Sequence, residues 1–100
     1  MIDFKMLSGE EVSTRLAERL KRRRLAQNLT LDGLAKRSGV PLGTLKKFER
    51  SGKIALVSFV RLALALRDEA ALENLLQEEK FETLDDVLGN TKKPKRGRIT

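Results

Sequence analysis

The chain has no histidine and no cysteine. It therefore lacks the side chains that most often act as general bases, thiol nucleophiles or zinc ligands near neutral pH, and it can form no disulfide. Eight of its fourteen acidic residues crowd into 68–88, with no glycine-rich phosphate loop beside them. The abundant chemistry is cationic: 21 Lys and Arg give a net charge of +7. Residues 15–67 hold fourteen basic and three acidic side chains, and residues 89–100 hold five basic and none acidic. A basic block, an acidic block and a basic tail thus follow one another. Ammonium and guanidinium groups at this density are donors for phosphate oxygens, and the acidic block should face away from any polyanion. A solvated helix face would show the same charge run.

The elements that must position these cations centre on Leu31–Arg50, LDGLAKRSGVPLGTLKKFER. Leu31, Leu34 and Ala35 share one face of a short helix. Ser38-Gly39 ends it, since glycine takes the left-handed conformation without a Cβ clash. Val40 is biased to extended backbone by Pro41. Leu45 and Phe48 repeat at helical spacing in a second helix beginning near Leu42. Small Ala35 allows a close crossing, and Leu34, Val40, Leu45 and Phe48 fill the angle. This is the sequence form of a helix-turn-helix, whose second helix can enter a major groove.

The rest of the chain is read around that centre. Residues 1–9 form an N-terminal arm with Phe4 and Leu7. Ser8 and Glu11 make a capping box for a first helix running to about Gln27, with Val12, Leu16, Leu20 and Ala17 inward. Thr30 is the natural N-cap of the second helix. Ile54–Leu66 supplies a fourth helix, whose Leu56, Phe59, Val60, Leu62, Ala63 and Leu66 should fill the core. Asp68 should cap a fifth, with Leu72, Leu75 and Leu76 on one side. The helical domain spans 10–77. Residues 78–89 form an acidic amphipathic segment, with Phe81, Leu84, Val87 and Leu88 at helical spacing, Thr83 as its cap and Gly89 as its stop. Residues 90–100 should be disordered, being rich in cations with Pro and Gly and almost no apolar residue. The fold class is all-α: five helices, a short amphipathic segment and a basic tail.

These residues resemble the lambdoid-repressor-like (Xre or Cro type) helix-turn-helix proteins over about Leu16–Leu76. The likeness lies in Ala35 four residues before Gly39, Val40 after it, Leu45 six residues after it, Phe48-Glu49-Arg50, and Arg24 upstream. The resemblance implies that Arg24 pairs with Glu49 and locks the first helix to the third. It also implies that Leu42, Gly43, Lys46 and Lys47 face base edges. Gly43 has no side chain to read with. Leu42 either touches a thymine methyl or closes the turn as a core residue, and each lysine serves either a base or a phosphate. Leu31 stands where the family often carries a glutamine that touches DNA backbone. Phosphate contacts are expected from Lys21, Arg22, Thr30, Thr44, Arg50 and Lys53, with the backbone amides of Ser51-Gly52-Lys53 closing on one phosphate. Leu64, at a position normally polar in the family, suggests an apolar contact patch. Leu72, Leu75, Leu76, Phe81, Leu84 and Leu88 complete the expected dimer or partner surface.

The expected function is a dimeric, sequence-specific DNA-binding repressor of its own operon, reading an inverted repeat of double-stranded DNA. The arrangement of motif, acidic segment and basic tail also resembles the HipB-like antitoxins, which implies a kinase-like toxin as a further partner. An enzyme is disfavoured, no cofactor or metal is expected, and RNA binding lacks the stacking aromatics it favours, with no Tyr or Trp present. No apolar run approaches ~20 residues, so no membrane span is expected, and the location is expected to be cytoplasmic.

Overall fold

The computed structural model describes residues 4–78. A 3-10 turn, Phe4–Met6, precedes five helices: α1 (Gly9–Ala26), α2 (Leu31–Ser38), α3 (Leu42–Ser51), α4 (Leu56–Ala65) and α5 (Glu69–Asn74). There is no strand among the described residues. The expected contact residues Phe81, Leu84 and Leu88, and the basic tail, lie outside these residues.

Each boundary has a local cause. The Glu11 amide donates to Ser8 Oγ at 3.0 Å, and the Ser8 amide donates to Glu11 Oε1 at 2.8 Å. This capping box satisfies amides that the first helical turn leaves without partners. The backbone hydrogen bond with Ser8 is the main reason the Glu11 carboxyl lies below its ordinary range. At the start of α2, the Gly33 amide donates to Thr30 Oγ1 at 2.9 Å. The α2 and α3 C-termini are built alike. Gly39 and Gly52 both sit at φ 78°, in the left-handed region. In each case the preceding serine hydroxyl accepts the amide of the residue after the glycine, Val40 at 3.1 Å and Lys53 at 3.2 Å.

The core is the one the apolar spacing predicts around the turn. Leu34, Leu45 and Leu62 are fully enclosed, with Ala17, Leu20, Ala35, Val40, Phe48, Ala63 and Leu66 also buried. The rings of Phe48 and Phe59 meet edge to face, 5.7 Å apart at 70°, a favoured aromatic geometry. Helix α3 packs against α1 and α2, α2 also packs on α4, and α5 contacts α4.

Three sequence expectations are corrected. Leu56 is on the surface, 75% exposed, because it opens α4 ahead of the turn that faces the core. Asp68 does not cap α5 with its side chain; its carboxylate binds the Arg23 guanidinium instead. Helix α5 stops at Asn74, so Leu75 and Leu76 do not continue the apolar side begun by half-buried Leu72. Leu75 is extended, Leu76 sits at φ 61°, and Leu76 is almost wholly exposed.

Candidate nucleic-acid interface

Helix α3 is placed by what it buries. Leu45 and Phe48 point into the core, while Leu42 is half-buried and the Glu49 side chain is almost wholly buried on its flanks. The opposite stripe is Gly43, Lys46, Lys47 and Arg50. These follow the i, i+3, i+4, i+7 spacing of one helix face, and all four are exposed. Three cations on a helix only ten residues long, without an acidic residue in its first turn, leave a uniformly positive outer face. No side chain caps the α3 N-terminus. Its dipole therefore adds positive potential at the Leu42–Gly43 end.

Gly43 is open: a Cβ built there has nothing within 4 Å. Leu42 packs partly against the core, so the turn-closing role its type allows is at least partly realised. Thr44 is half-buried behind the exposed stripe.

Beneath this face lies a buried ion pair. Arg24 Nε donates to Glu49 Oε2 at 2.8 Å, and a second guanidinium nitrogen donates to Oε1 at 3.0 Å. A third nitrogen donates to the Leu29 carbonyl at 2.8 Å. Arg24 is the sole buried charged residue among those described. One guanidinium thus ties α1 to α3 and to the loop entering α2. The fork geometry of arginine makes the paired contact to both carboxylate oxygens possible.

The turn after α3 is built differently from the expectation. The Gly52 amide donates to the Phe48 carbonyl at 2.7 Å, and the Lys53 amide donates to Ser51 Oγ. These amides are spent within the chain and are not open to close on a phosphate. Only the Arg50 and Lys53 side chains project from this corner, both exposed. Gly52 is itself buried, and a Cβ there would lie 3.0–3.1 Å from the backbone of Ser13 and Thr14. The turn therefore rests directly on α1. Sequence reasoning missed this contact, because Gly52 offers no side chain to signal packing.

Lys21 and Arg22 are exposed neighbours on α1, but the structure separates them. Arg22 lines a groove walled by α1, α4 and α5, in which no residue of α2 or α3 takes part. Thr30 is exposed, with its oxygen already accepting the Gly33 amide. A second inter-element clasp was also unforeseen. Gln27 Nε2 donates to the Leu66 carbonyl at 3.0 Å, and Arg23 donates to the same carbonyl and to Asp68. The end of α1 thereby holds the corner between α4 and α5.

Two short helices crossing over Ala35, with a cationic outer face on the second, define a DNA-binding domain of the lambda-repressor-like kind. Residues 20–67 match the model of the Helix-turn-helix family. The match begins within α1 and ends at the turn after α4. No curated protein shows significant similarity to the chain. No helix among the described residues is long and apolar enough to cross a membrane.

Proposed function

We propose that the chain is a dimeric, sequence-specific transcriptional repressor whose α3 reads an inverted repeat in its own operon. The observation that carries this reading is the exposed stripe Gly43, Lys46, Lys47 and Arg50 on a helix anchored by buried Leu45 and Phe48. Lys46 and Lys47 donate to guanine O6 and N7 or to adjacent phosphates, and Leu42 meets a thymine methyl at the groove entrance. Lys21, Thr30, Thr44, Arg50 and Lys53 supply phosphate contacts that set register. Repression follows from occupancy: a bound dimer blocks polymerase access.

A monomer offers α3 few side chains with which to read sequence. Two copies would read half-sites about one helical turn apart. Helix α4 supports a self-association surface, since Leu56, Val57 and Leu64 are 75%, 58% and 49% exposed. Val57 and Leu64 stand seven residues apart on one helix face. Their exposed apolar surface is stabilised by burial against another protein.

The deciding experiment is fluorescence anisotropy of the full chain with the DNA upstream of its gene, against a scrambled duplex, across a salt series. A preference of about 10³ or more at physiological salt is the expected result. Equal, steeply salt-dependent binding to both duplexes would overturn the sequence-specific reading. The second reading, an antitoxin that restrains a kinase-like toxin, is favoured by the same exposed Leu64 surface. It predicts co-purification with the product of an adjacent kinase-like reading frame, and that co-purification should fail for Leu64→Asp. A product that never co-purifies would end it.

A further inference from the structure

A groove of about 760 Å³, with no residue of α2 or α3 in its lining, runs between α1 and the α4–α5 corner. Its floor is apolar, with Leu16, Phe59, Ala63 and Leu72 among its lining. Its edges carry Arg19, Arg22 and Arg23. Arg23 is paired with Asp68. Among the described residues neither Arg19 nor Arg22 has an ion-pair partner; Arg19 lies over the Phe4 ring, 4.7 Å from its centroid. The groove is thus a greasy slot with unneutralised cations along one lip. Leu75, 63% exposed, forms part of its wall at the point where the described chain runs out.

We propose that this groove is filled by the chain's own residues 81–88, FETLDDVL. Three features of that segment fit it. Phe81, Leu84, Val87 and Leu88 recur at helical spacing and form an apolar stripe. Glu82, Asp85 and Asp86 take three of the four remaining positions and supply charge opposite to Arg19 and Arg22. Five residues separate Leu75 from Phe81, and the six Cα–Cα steps give a reach of up to about 20 Å. A tether this short keeps the segment at an effective concentration on the order of millimolar, well above that of a second copy in dilute solution. Docking covers Leu72 and Leu75 with apolar side chains and places the acidic segment in a groove to which neither α2 nor α3 contributes. It also accounts for an apolar stripe in a strongly acidic part of the chain. The inference does not rest on the DNA-binding reading, because neither the groove nor its occupant includes a residue of α2 or α3.

The absence of cysteine makes the test clean. Ala26, in the groove lining, and Leu84 are replaced together by cysteine in the full chain, and disulfide formation is followed in glutathione buffer. The control pair is Lys36→Cys with Leu84→Cys, since Lys36 lies on α2 outside the groove. Docking predicts an intramolecular disulfide favoured about ten-fold over the control. Adding Arg19→Glu and Arg22→Glu should lower that preference. Equal propensities for the two pairs would overturn the proposal. Disulfide-linked dimers in place of cross-linked monomers would overturn the assignment of the chain's own segment as occupant. Amide chemical shifts give a readout free of introduced cysteines. Leu84→Asp should move the resonances of Ala63 and Leu72 and leave those of Lys46 and Lys47 in place. Unmoved Ala63 and Leu72 resonances would also overturn it.

Discussion

Glu49 ties α3 to α1 through both of its carboxylate oxygens. Its side chain is 9% exposed, and both of its oxygens are held by Arg24, itself 7% exposed. Glu49→Ala leaves a guanidinium buried with only the Leu29 carbonyl as partner. The expected loss is about 3–5 kcal/mol, read as a lower urea midpoint. A melting temperature equal to wild type would show that Arg24 finds water instead. Glu49→Gln keeps the shape and loses the charge, so it should fall between. The pairing was accessible to sequence reading only through family resemblance, since nothing in local spacing joins residues 25 apart. The Ser8–Glu11 box, by contrast, was readable from four adjacent residues. There the lowered carboxyl sets a pH dependence. A carboxyl held below its ordinary value stabilises the fold fully above the unfolded-chain value, and that contribution is lost as pH falls through the folded one. The melting-temperature difference between wild type and Glu11→Ala should therefore be present at pH 7 and shrink at strongly acidic pH.

At the level of elements, two Ser-Gly turns do the same local work in different surroundings. Gly39 and Gly52 share a φ of 78° and the same serine-hydroxyl bond to the next amide. Around Gly39 there is open space, whereas Gly52 lies against the α1 backbone. Gly39→Ala should cost only the conformational strain, on the order of 1 kcal/mol. Gly52→Ala adds a clash that neither backbone can relieve cheaply and should cost clearly more. Thermal denaturation of the two variants gives the comparison, and equal losses would contradict the close packing. The sequence identified both turns because Gly after Ser carries a local signal. It could not separate them, because the difference lies in a neighbour nearly forty residues upstream. The same limit explains Asp68. Its type and position suit a cap, but Arg23 from α1 competes for the carboxylate. It also explains Leu56, whose spacing suits the core while its place at the mouth of α4 does not.

For the molecule as a whole, the charge sequence becomes a spatial arrangement. Lys46, Lys47 and Arg50 share one outer face, and Arg19 and Arg22 belong to a groove on another. DNA affinity should follow the first group. Lys46→Ala with Lys47→Ala should abolish preference for the upstream DNA while the unfolding free energy stays within about 0.5 kcal/mol of wild type for each substitution, as expected for exposed positions. Lys53→Ala should weaken binding to all sequences alike and reduce the slope of log K against log salt by about 0.9 per bound subunit, about 1.8 for the dimer. An unchanged slope would remove Lys53 from the phosphate set. The five-helix order and the central core were legible because apolar periodicity and caps repeat the same message. The groove and the clasp at Leu66 were not, because both arise where elements far apart in sequence meet.

Gly43 has a consequence for how such a chain can change. It is an unoccupied place on an exposed helix face, with nothing near enough to resist a new side chain. Replacing glycine within a helix also removes backbone freedom from the unfolded chain, which favours folding by roughly 0.5–1 kcal/mol. Most positions that gain a new specificity lose stability in doing so. Here a single codon change would add a side chain to the cationic face and strengthen the helix that presents it, so that the proposed DNA preference could drift without a loss of stability.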